Sequence, residues 1–283
     1  MLTGPFLSKN WMASNPDFKT SKWVLMGIPY DGTCSYRPGT RFAPEQIRLA
    51  SWGLEEYSPY LDKEMSEISF YDVGELDLPF GNREKCLEMI KNNVKEILAQ
   101  DKFYFGVGGE HLITYPAIEA YLEKYPDIGL IHFDAHTDLR EDYLGEKLSH
   151  ACVIKRISEK IKAEKIVQIG IRSGEKNEFD WMKNNKTHLK DQKEAIYALK
   201  KLENIPVFIT VDVDVLDPSI MSGTGTPEAG GLTFNEFMEW LLLFKNLNIV
   251  GVDVVELSPH YDMSGSSTAT AAKIIRELLL MVG

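Results

Sequence analysis

Asp134, His136 and Asp138 stand at i, i+2 and i+4, directly after the apolar run from Gly129 to Phe133. Side chains of an extended chain alternate in direction with period two, so all three project to one side. Two carboxylates and an imidazole buried together cost several kcal/mol unless something compensates them. A divalent cation is the simplest compensator; a solvated loop after a strand is the competing reading. A second acidic segment places Asp212, Asp214 and Asp217 after the apolar run from Val207 to Val211, with Pro218 following. Asp217 with its proline suits an acidic turn. Asp212 and Asp214 instead sit within the strand pattern, where aspartate is disfavoured. A third piece, Gly108, Gly109, Glu110 and His111, closes the run from Phe103 to Val107. Its glycines allow a sharp turn and a close approach to an ion, although His111 taken alone suits a hydrogen-bonded core histidine equally well.

His111, Asp134, His136, Asp138, Asp212 and Asp214 together exceed what one tetrahedral zinc takes from a protein. They suit two metals that share bridging carboxylates. Oxygen-rich ligation with imidazole favours Mn²⁺ and also accepts Fe²⁺, Co²⁺ or Zn²⁺. Two metals ~3.5–4 Å apart hold a bridging hydroxide at neutral pH, which is the nucleophile of a hydrolysis.

The elements that must position these groups are legible as apolar runs: Trp23 to Ile28, Ile68 to Val73, Phe103 to Val107, Ile128 to Phe133, Ile166 to Ile171, Val207 to Val211 and Ile249 to Val255. They are continuous and rich in β-branched residues, as strands buried on both faces are. Helical spacing is expected over Arg83 to Ala99, Tyr115 to Lys124, Ser149 to Ile161, Lys193 to Leu202, Phe234 to Leu243 and Thr268 to Met281. Alternating strand and helix predicts an α/β fold around a mostly parallel sheet, whose ligands bind at the carboxyl ends of the strands. No linker or composition shift divides the 283 residues, so one domain over 1–283 is expected.

Composition narrows the partners. Lys plus Arg is 31 against 42 for Asp plus Glu, a formal charge of −11, which argues against nucleic acid or an anionic membrane as partner. Such a balance suits a small cationic substrate, or simply a well-solvated surface. Cys34, Cys86 and Cys152 are odd in number and far apart, so a reducing compartment is expected. With neither a signal-peptide pattern nor an apolar run of membrane-spanning length, a cytoplasmic protein with no membrane partner is expected.

The three motifs, in this order and with Gly223 to Pro227 after Asp214, resemble those of the ureohydrolases, the arginase and agmatinase family. The resemblance begins at Gly27 to Gly32 and Arg37 to Pro44 and runs past Asp253 to Pro259. It implies a three-layer α/β fold with about eight mostly parallel strands flanked by helices, in agreement with the strand–helix alternation. It further implies two Mn²⁺ per subunit, one held by His111, Asp134, Asp138 and Asp212, the other by His136, Asp134, Asp212 and Asp214. His150 matches the histidine that passes a proton to the leaving amine, and Glu256 the carboxylate that grips the substrate guanidinium. Asp138 would steady the tetrahedral intermediate. A guanidinium is permanently charged and resonance-stabilised, hence a poor electrophile that needs a strong nucleophile held close, and Glu256 can accept two parallel N–H bonds from it. A homo-oligomer, trimer or hexamer, is also implied.

Substrate choice is expected to lie in residues 139–150. Arginases carry there an Asn, a Thr-Pro pair and a Ser-Gly-Asn-Leu-His stretch that recognise the amino-acid end of arginine. Here these are absent, and the segment is similar to that of bacterial agmatinases, as are Gly170 to Gly174 and Val255 to Pro259. The resemblance therefore implies hydrolysis of agmatine to putrescine and urea, a step of polyamine synthesis and arginine breakdown. Arg140 is expected to face away from the cationic tail. Ser222, where the family usually has proline, and Ala151 depart from the family pattern in loop shape. The alternatives are an arginase, a guanidinobutyrase-type hydrolase of another guanidino compound, a two-metal phosphoesterase, or a non-catalytic binding protein on the same scaffold. His132 is read as core or as backing for a ligand, Asp253 as a supporting carboxylate, Cys152 as packed, and His188 and His260 as without a role.

Overall fold

The computed structural model describes residues 6–7 and 10–283. The chain runs β1 (Phe6–Leu7), β2 (Trp23–Gly27), α1 (Ala43–Ser51), a hairpin of β3 (Tyr57–Ser58) and β4 (Lys63–Glu64), β5 (Phe70–Leu76), α2 (Arg83–Leu98), β6 (Phe103–Val107), α3 (Thr114–Lys124) and β7 (Gly129–Phe133). It continues with α4 (Val153–Ser158), β8 (Ile166–Ile169), α5 (Lys176–Asn185), β9 (His188–Leu189), α6 (Ala195–Leu202), β10 (Val207–Asp212), α7 (Phe234–Leu243), β11 (Ile249–Val255) and α8 (Ser266–Val282). Among the described residues nine strands form one sheet, in the order β1-β5-β2-β6-β11-β10-β7-β8-β9. Every pairing is parallel except that of the two-residue β1 on β5.

The continuous apolar runs have a direct structural cause. Trp23 and Leu25 of β2 face one helix layer with Ile47 of α1, Phe237 of α7 and Ile275 of α8. Val24 and Met26 face the opposite layer with Ile90 of α2, Ile118 of α3 and Ile154 of α4. Both faces are covered, so neither parity of the strand can be polar. This is the expected three-layer α/β architecture with a mostly parallel sheet. No helix among the described residues is long and apolar enough to cross a membrane.

Local differences from the sequence expectation follow from packing. The helix expected over 149–161 opens as a 3-10 turn, His150–Cys152, and the α-helical part is only Val153–Ser158. Two helices, α1 and α5, carry little sequence signal: α5 buries only Glu178 and Met182 of its ten residues, too few to mark an apolar stripe. β9 has two residues and is an edge strand.

One arginine fastens α1 to the sheet, pairing with Asp72 and, at 3.3 Å, with Glu75 of β5. Arg48 donates from Nε and Nη2 to both carboxylate oxygens of Asp72, at 2.7 and 2.9 Å, while the backbone N–H groups of Trp11 and Gly74 donate to the same carboxylate at 2.6 and 2.9 Å. Both side chains are buried, and an orphaned partner in such a pair is far costlier than the pair itself is stabilising. Arg48→Ala should therefore lower unfolding free energy by about 3–5 kcal/mol in urea denaturation; a wild-type midpoint would show that Asp72 is sufficiently held by its backbone donors.

Candidate metal centre and active-site pocket

Four adjacent strands, β6-β11-β10-β7, deliver the chemistry from their carboxyl ends. β6 and β7, linked through α3, are separated in the sheet by β11 and β10, and loops at such points leave an open crevice. After β6 the backbone needs room. A Cβ on Gly109 would stand 2.1 Å from the Tyr30 carbonyl oxygen, so only glycine lets this turn pass β2 and swing His111 inward. Two non-glycine residues of the site, Asp138 (φ 51°) and Glu256 (φ 69°), are left-handed. Such backbone costs of order 1–3 kcal/mol and persists only where the surroundings over-determine it.

The six residues singled out as ligands converge. His111 Nδ1 lies 3.1 Å from Asp134 Oδ2, 3.2 Å from Asp138 Oδ2 and 3.5 Å from Asp212 Oδ2. His136 Nδ1 lies 3.0 Å from Asp214 Oδ2 and 3.5 Å from Asp134 Oδ1. The four carboxylates are 0 to 8% exposed. Backbone donors fix them: His136 N–H donates to Asp134 at 2.6 Å, Asp214 N–H to Asp212 at 2.8 Å and Ala135 N–H to Asp214 at 3.0 Å. Further side chains back the cluster. His132 Nε2 lies 2.7 Å from Asp134 Oδ2, and Gln168, itself hydrogen-bonded to Thr187, stands behind that ring. His111 Nε2 lies 2.9 Å from Thr210 Oγ1, beyond which Thr114 donates to Asp253 at 2.9 Å. Burial pushes the Asp253 carboxyl up to about 6.

The donor set fits divalent cations on this structure's own terms. His111 Nδ1 is buried and has no hydrogen-bond partner, although three carboxylate oxygens surround it. A nitrogen lone pair facing three anions is repulsive unless a cation or a proton lies among them. Titration behaviour carries the same message. Burial pulls His136 down, but Asp214 and Asp134 outweigh it and push the imidazole up to about 12. His111 is likewise raised against its burial by Asp134, Asp138 and Asp212. Asp212 is pushed above the carboxylate range by burial and by Asp214 and Asp134. The protein alone balances this charge only by holding protons where an ion of higher charge would serve. Ligand atoms of His111, His132, Asp134 and Asp138 lie within 4.8 Å of one another, as do those of Asp134, His136 and Asp214.

A cavity of about 270 Å³ opens over the cluster and is lined by His136, Asp138, Asp212 and His150, among others. His150 comes from the 3-10 turn, and its Nδ1 lies 4.0 Å from Glu256 Oε1. Glu256 is buried just beneath, its Oε1 accepting the His111 N–H at 2.7 Å. Burial lowers the His150 pKa and so disfavours its charged form, and its Nε2 has no partner in the fold. Glu110 was legible in the Gly-Gly-Glu-His motif, but sequence reasoning gave it no role. Its carboxylate accepts Gly32 N–H at 2.7 Å, Thr33 N–H at 2.6 Å and Thr33 Oγ1–H at 2.5 Å, and Thr33 Oγ1 accepts the His150 N–H at 3.0 Å. Glu110 thus ties the loop after β2 to the histidine turn; burial pushes its carboxyl up to about 7 against these donors. Arg140 is not turned away as expected. It lines the cavity, with its guanidinium held at 2.8 Å by Glu175 and over the Tyr143 ring. His188 and His260 lie outside this cavity and cluster, and Cys152 is packed beneath the turn. A larger cavity, about 730 Å³, lies between α5, β9 and α6 with walls such as Phe179, Met182 and Leu189, and contains none of the cluster.

Fold and site together define an α/β enzyme with a buried carboxylate–imidazole cation site at its central strand ends. A family model described as the arginase family matches residues 21–281. Agmatinases of Bacillus cereus and Bacillus subtilis are each 47% identical, over 97% of this chain and 97% of theirs. Among solved structures, agmatine ureohydrolase of Thermoplasma volcanium superposes with a TM-score of 0.85 at 30% identity, covering 98% of this chain and 95% of that one. Proclavaminate amidino hydrolase from Streptomyces clavuligerus gives 0.88 at 29%, covering 98% of both chains. The chain belongs to the arginase family. It is a ureohydrolase, an enzyme that hydrolyses C–N bonds of linear amidines.

Cation binding to the folded state alone must stabilise it, by about 2.7 kcal/mol at a hundred times the dissociation constant. Added Mn²⁺ should therefore raise the melting temperature, a chelator should reverse the rise, and Asp134→Asn should blunt it. An unchanged melting curve across Mn²⁺ concentrations would contradict the charge argument.

Proposed function

We propose that this enzyme hydrolyses agmatine to putrescine and urea, a step of polyamine synthesis and arginine breakdown, with two Mn²⁺ per subunit. Residues 1–283 act as one catalytic domain. The ligands would be His111, Asp134, Asp138 and Asp212 for one ion and Asp134, His136, Asp212 and Asp214 for the other, with Asp134 and Asp212 shared. Bound there, two divalent cations supply Lewis acidity and lower the pKa of water into the neutral range.

The remaining steps belong to the chain's own side chains. Glu256, beneath the cavity and 4.0 Å from His150, accepts N–H bonds from the guanidinium and fixes its plane. Asp138, left-handed and 8% exposed, reaches the cavity edge and steadies the carbon under attack. His150, whose charged form burial disfavours, takes up a proton at its unpartnered Nε2 and passes it to the departing amine, whose expulsion needs it. The convergence of His111 Nδ1 with three carboxylates supports the hydrolytic chemistry. The choice of agmatine is supported by the 47% identity to Bacillus agmatinases across nearly the whole chain. Three free cysteines suit a cytoplasmic enzyme, and exposed Trp52, Phe80 and Met263 suit a homo-oligomer, trimer or hexamer, which light scattering would check.

Mn²⁺-loaded protein offered agmatine, L-arginine and 4-guanidinobutyrate should release urea fastest from agmatine. Preference for either other compound would keep the chemistry and reassign the substrate; no urea from any would point to a different amidine or to binding without turnover. His150→Asn should lower kcat by roughly 10²–10⁴-fold while leaving Mn²⁺-dependent melting unchanged; a wild-type kcat would remove His150 from proton transfer.

A further inference from the structure

The segment Gly170 to Gly174 follows β8 and lies beside the cluster, and it carries one arginine. Arg172 spends all three guanidinium nitrogens on backbone carbonyls of three separate segments. Nη1 donates to Gly170 at 3.1 Å and to Val215 at 3.2 Å, and Nε to Glu228 at 3.2 Å. Nη2 donates to Asp214 and to Glu228, each at 2.7 Å. The backbone N–H of Arg172 donates to the Ala135 carbonyl at 2.8 Å, as does that of Ser173 at 2.9 Å. Ala135 N–H in turn donates to Asp214 Oδ1 at 3.0 Å. These contacts close a ring. Residue 172 holds the turn between Asp134 and His136 with its main chain and the backbone of Asp214 with its side chain. Because the guanidinium grips the Asp214 carbonyl, it takes none of the acceptor capacity of the carboxylate that faces His136 Nδ1 at 3.0 Å.

We infer that Arg172 is a positioning residue for one of the two cations and not for the other. This rests on the proposed two-metal site. Arg172 reaches the chain at Asp214 and beside His136, within the group Asp134, His136 and Asp214, and touches neither His111 nor Asp138. That group has the greater need of outside support. Thr210 stands behind the His111 ring and Gln168 behind His132. The His136 side chain is instead 25% exposed, and its ring meets the carboxylates Asp214 and Asp134. Its placement depends on the backbone that carries it, which is what Arg172 ties to Asp214. A planar guanidinium with five N–H donors spans three segments at once, whereas the single ammonium of a lysine does not.

The test is equilibrium dialysis of wild type, Arg172→Gln and Arg172→Lys against graded free Mn²⁺, with bound metal counted per chain and no substrate present. Gln removes the side-chain half of the ring and leaves the backbone half. The wild type should hold two ions. In Arg172→Gln one of them should need roughly 10- to 100-fold more free Mn²⁺, as when an outer support of a metal site is removed, while the other binds as in the wild type. Arg172→Lys should show a smaller loss of the same ion. Anomalous scattering from Arg172→Gln crystals at intermediate Mn²⁺ should keep the peak beside His111 and Asp138 and lose the one beside His136 and Asp214. Both ions weakened together would make Arg172 a general brace of the fold and overturn the assignment. Two ions bound with wild-type affinity, or loss of the peak beside His111 instead, would overturn it as well. If Arg172→Gln does not fold, Arg172→Lys is read by the same criterion. A wild type that binds fewer than two Mn²⁺ would overturn the two-metal reading itself, and this assignment with it.

Discussion

Four carboxylates, none more than 8% exposed, are held together at the ends of central strands, and their mutual repulsion is the constraint from which the rest of the site follows. Burying like charges in a low-dielectric interior is tolerated only with compensating cations or protons. The protein meets part of the demand with His111, His132 and His136, each within 3.5 Å of at least one of these carboxylates. Three imidazoles do not remove it. Burial and Asp214 leave Asp212 pushed upward, and His111 keeps a nitrogen without a partner. A fold free to relax would spread these groups apart. This one is instead braced to hold them together, which is the mark of a site that expects a ligand of positive charge.

Bracing comes from three hydrogen-bond chains, two of them buried and the third part-buried. Thr187 and Gln168 stand behind His132, Thr210, Thr114 and Asp253 behind His111, and Glu110 and Thr33 under His150. Each orients a ring by occupying the nitrogen or backbone group that faces away from the cavity, as outer partners of metal-binding histidines do. The left-handed backbones at Asp138 and Glu256 are tolerated within the same frame. Rigid placement matters for this chemistry because a resonance-stabilised guanidinium yields only to a nucleophile and a proton donor already in position.

Much of this was legible in the sequence because both sides of each strand are covered. Apolar runs such as Val207 to Val211 have no polar parity, so where Asp212 and Asp214 interrupt the pattern they stand out. The period-two spacing of Asp134, His136 and Asp138 likewise survives as a shared direction in the fold. Other features left no comparable trace. α5 has only Phe179, Trp181 and Met182 as apolar residues and buries only Glu178 and Met182, so neither the helix nor the place of Glu178 in the cavity wall could be read from periodicity. Arg140 was misplaced because its partner, Glu175, lies 35 residues away, and side-chain pairing across that distance has no local signal. The role of Glu110 depended in the same way on a loop 77 residues earlier.

Anomalous X-ray scattering from crystals grown with Mn²⁺ tests the central claim most directly. Two peaks are expected inside the cluster, one bounded by His111 and Asp138, the other by His136 and Asp214, with Asp134 and Asp212 between them. A cluster free of anomalous density at saturating Mn²⁺, with the imidazoles hydrogen-bonded to the carboxylates as protonated partners, would contradict it.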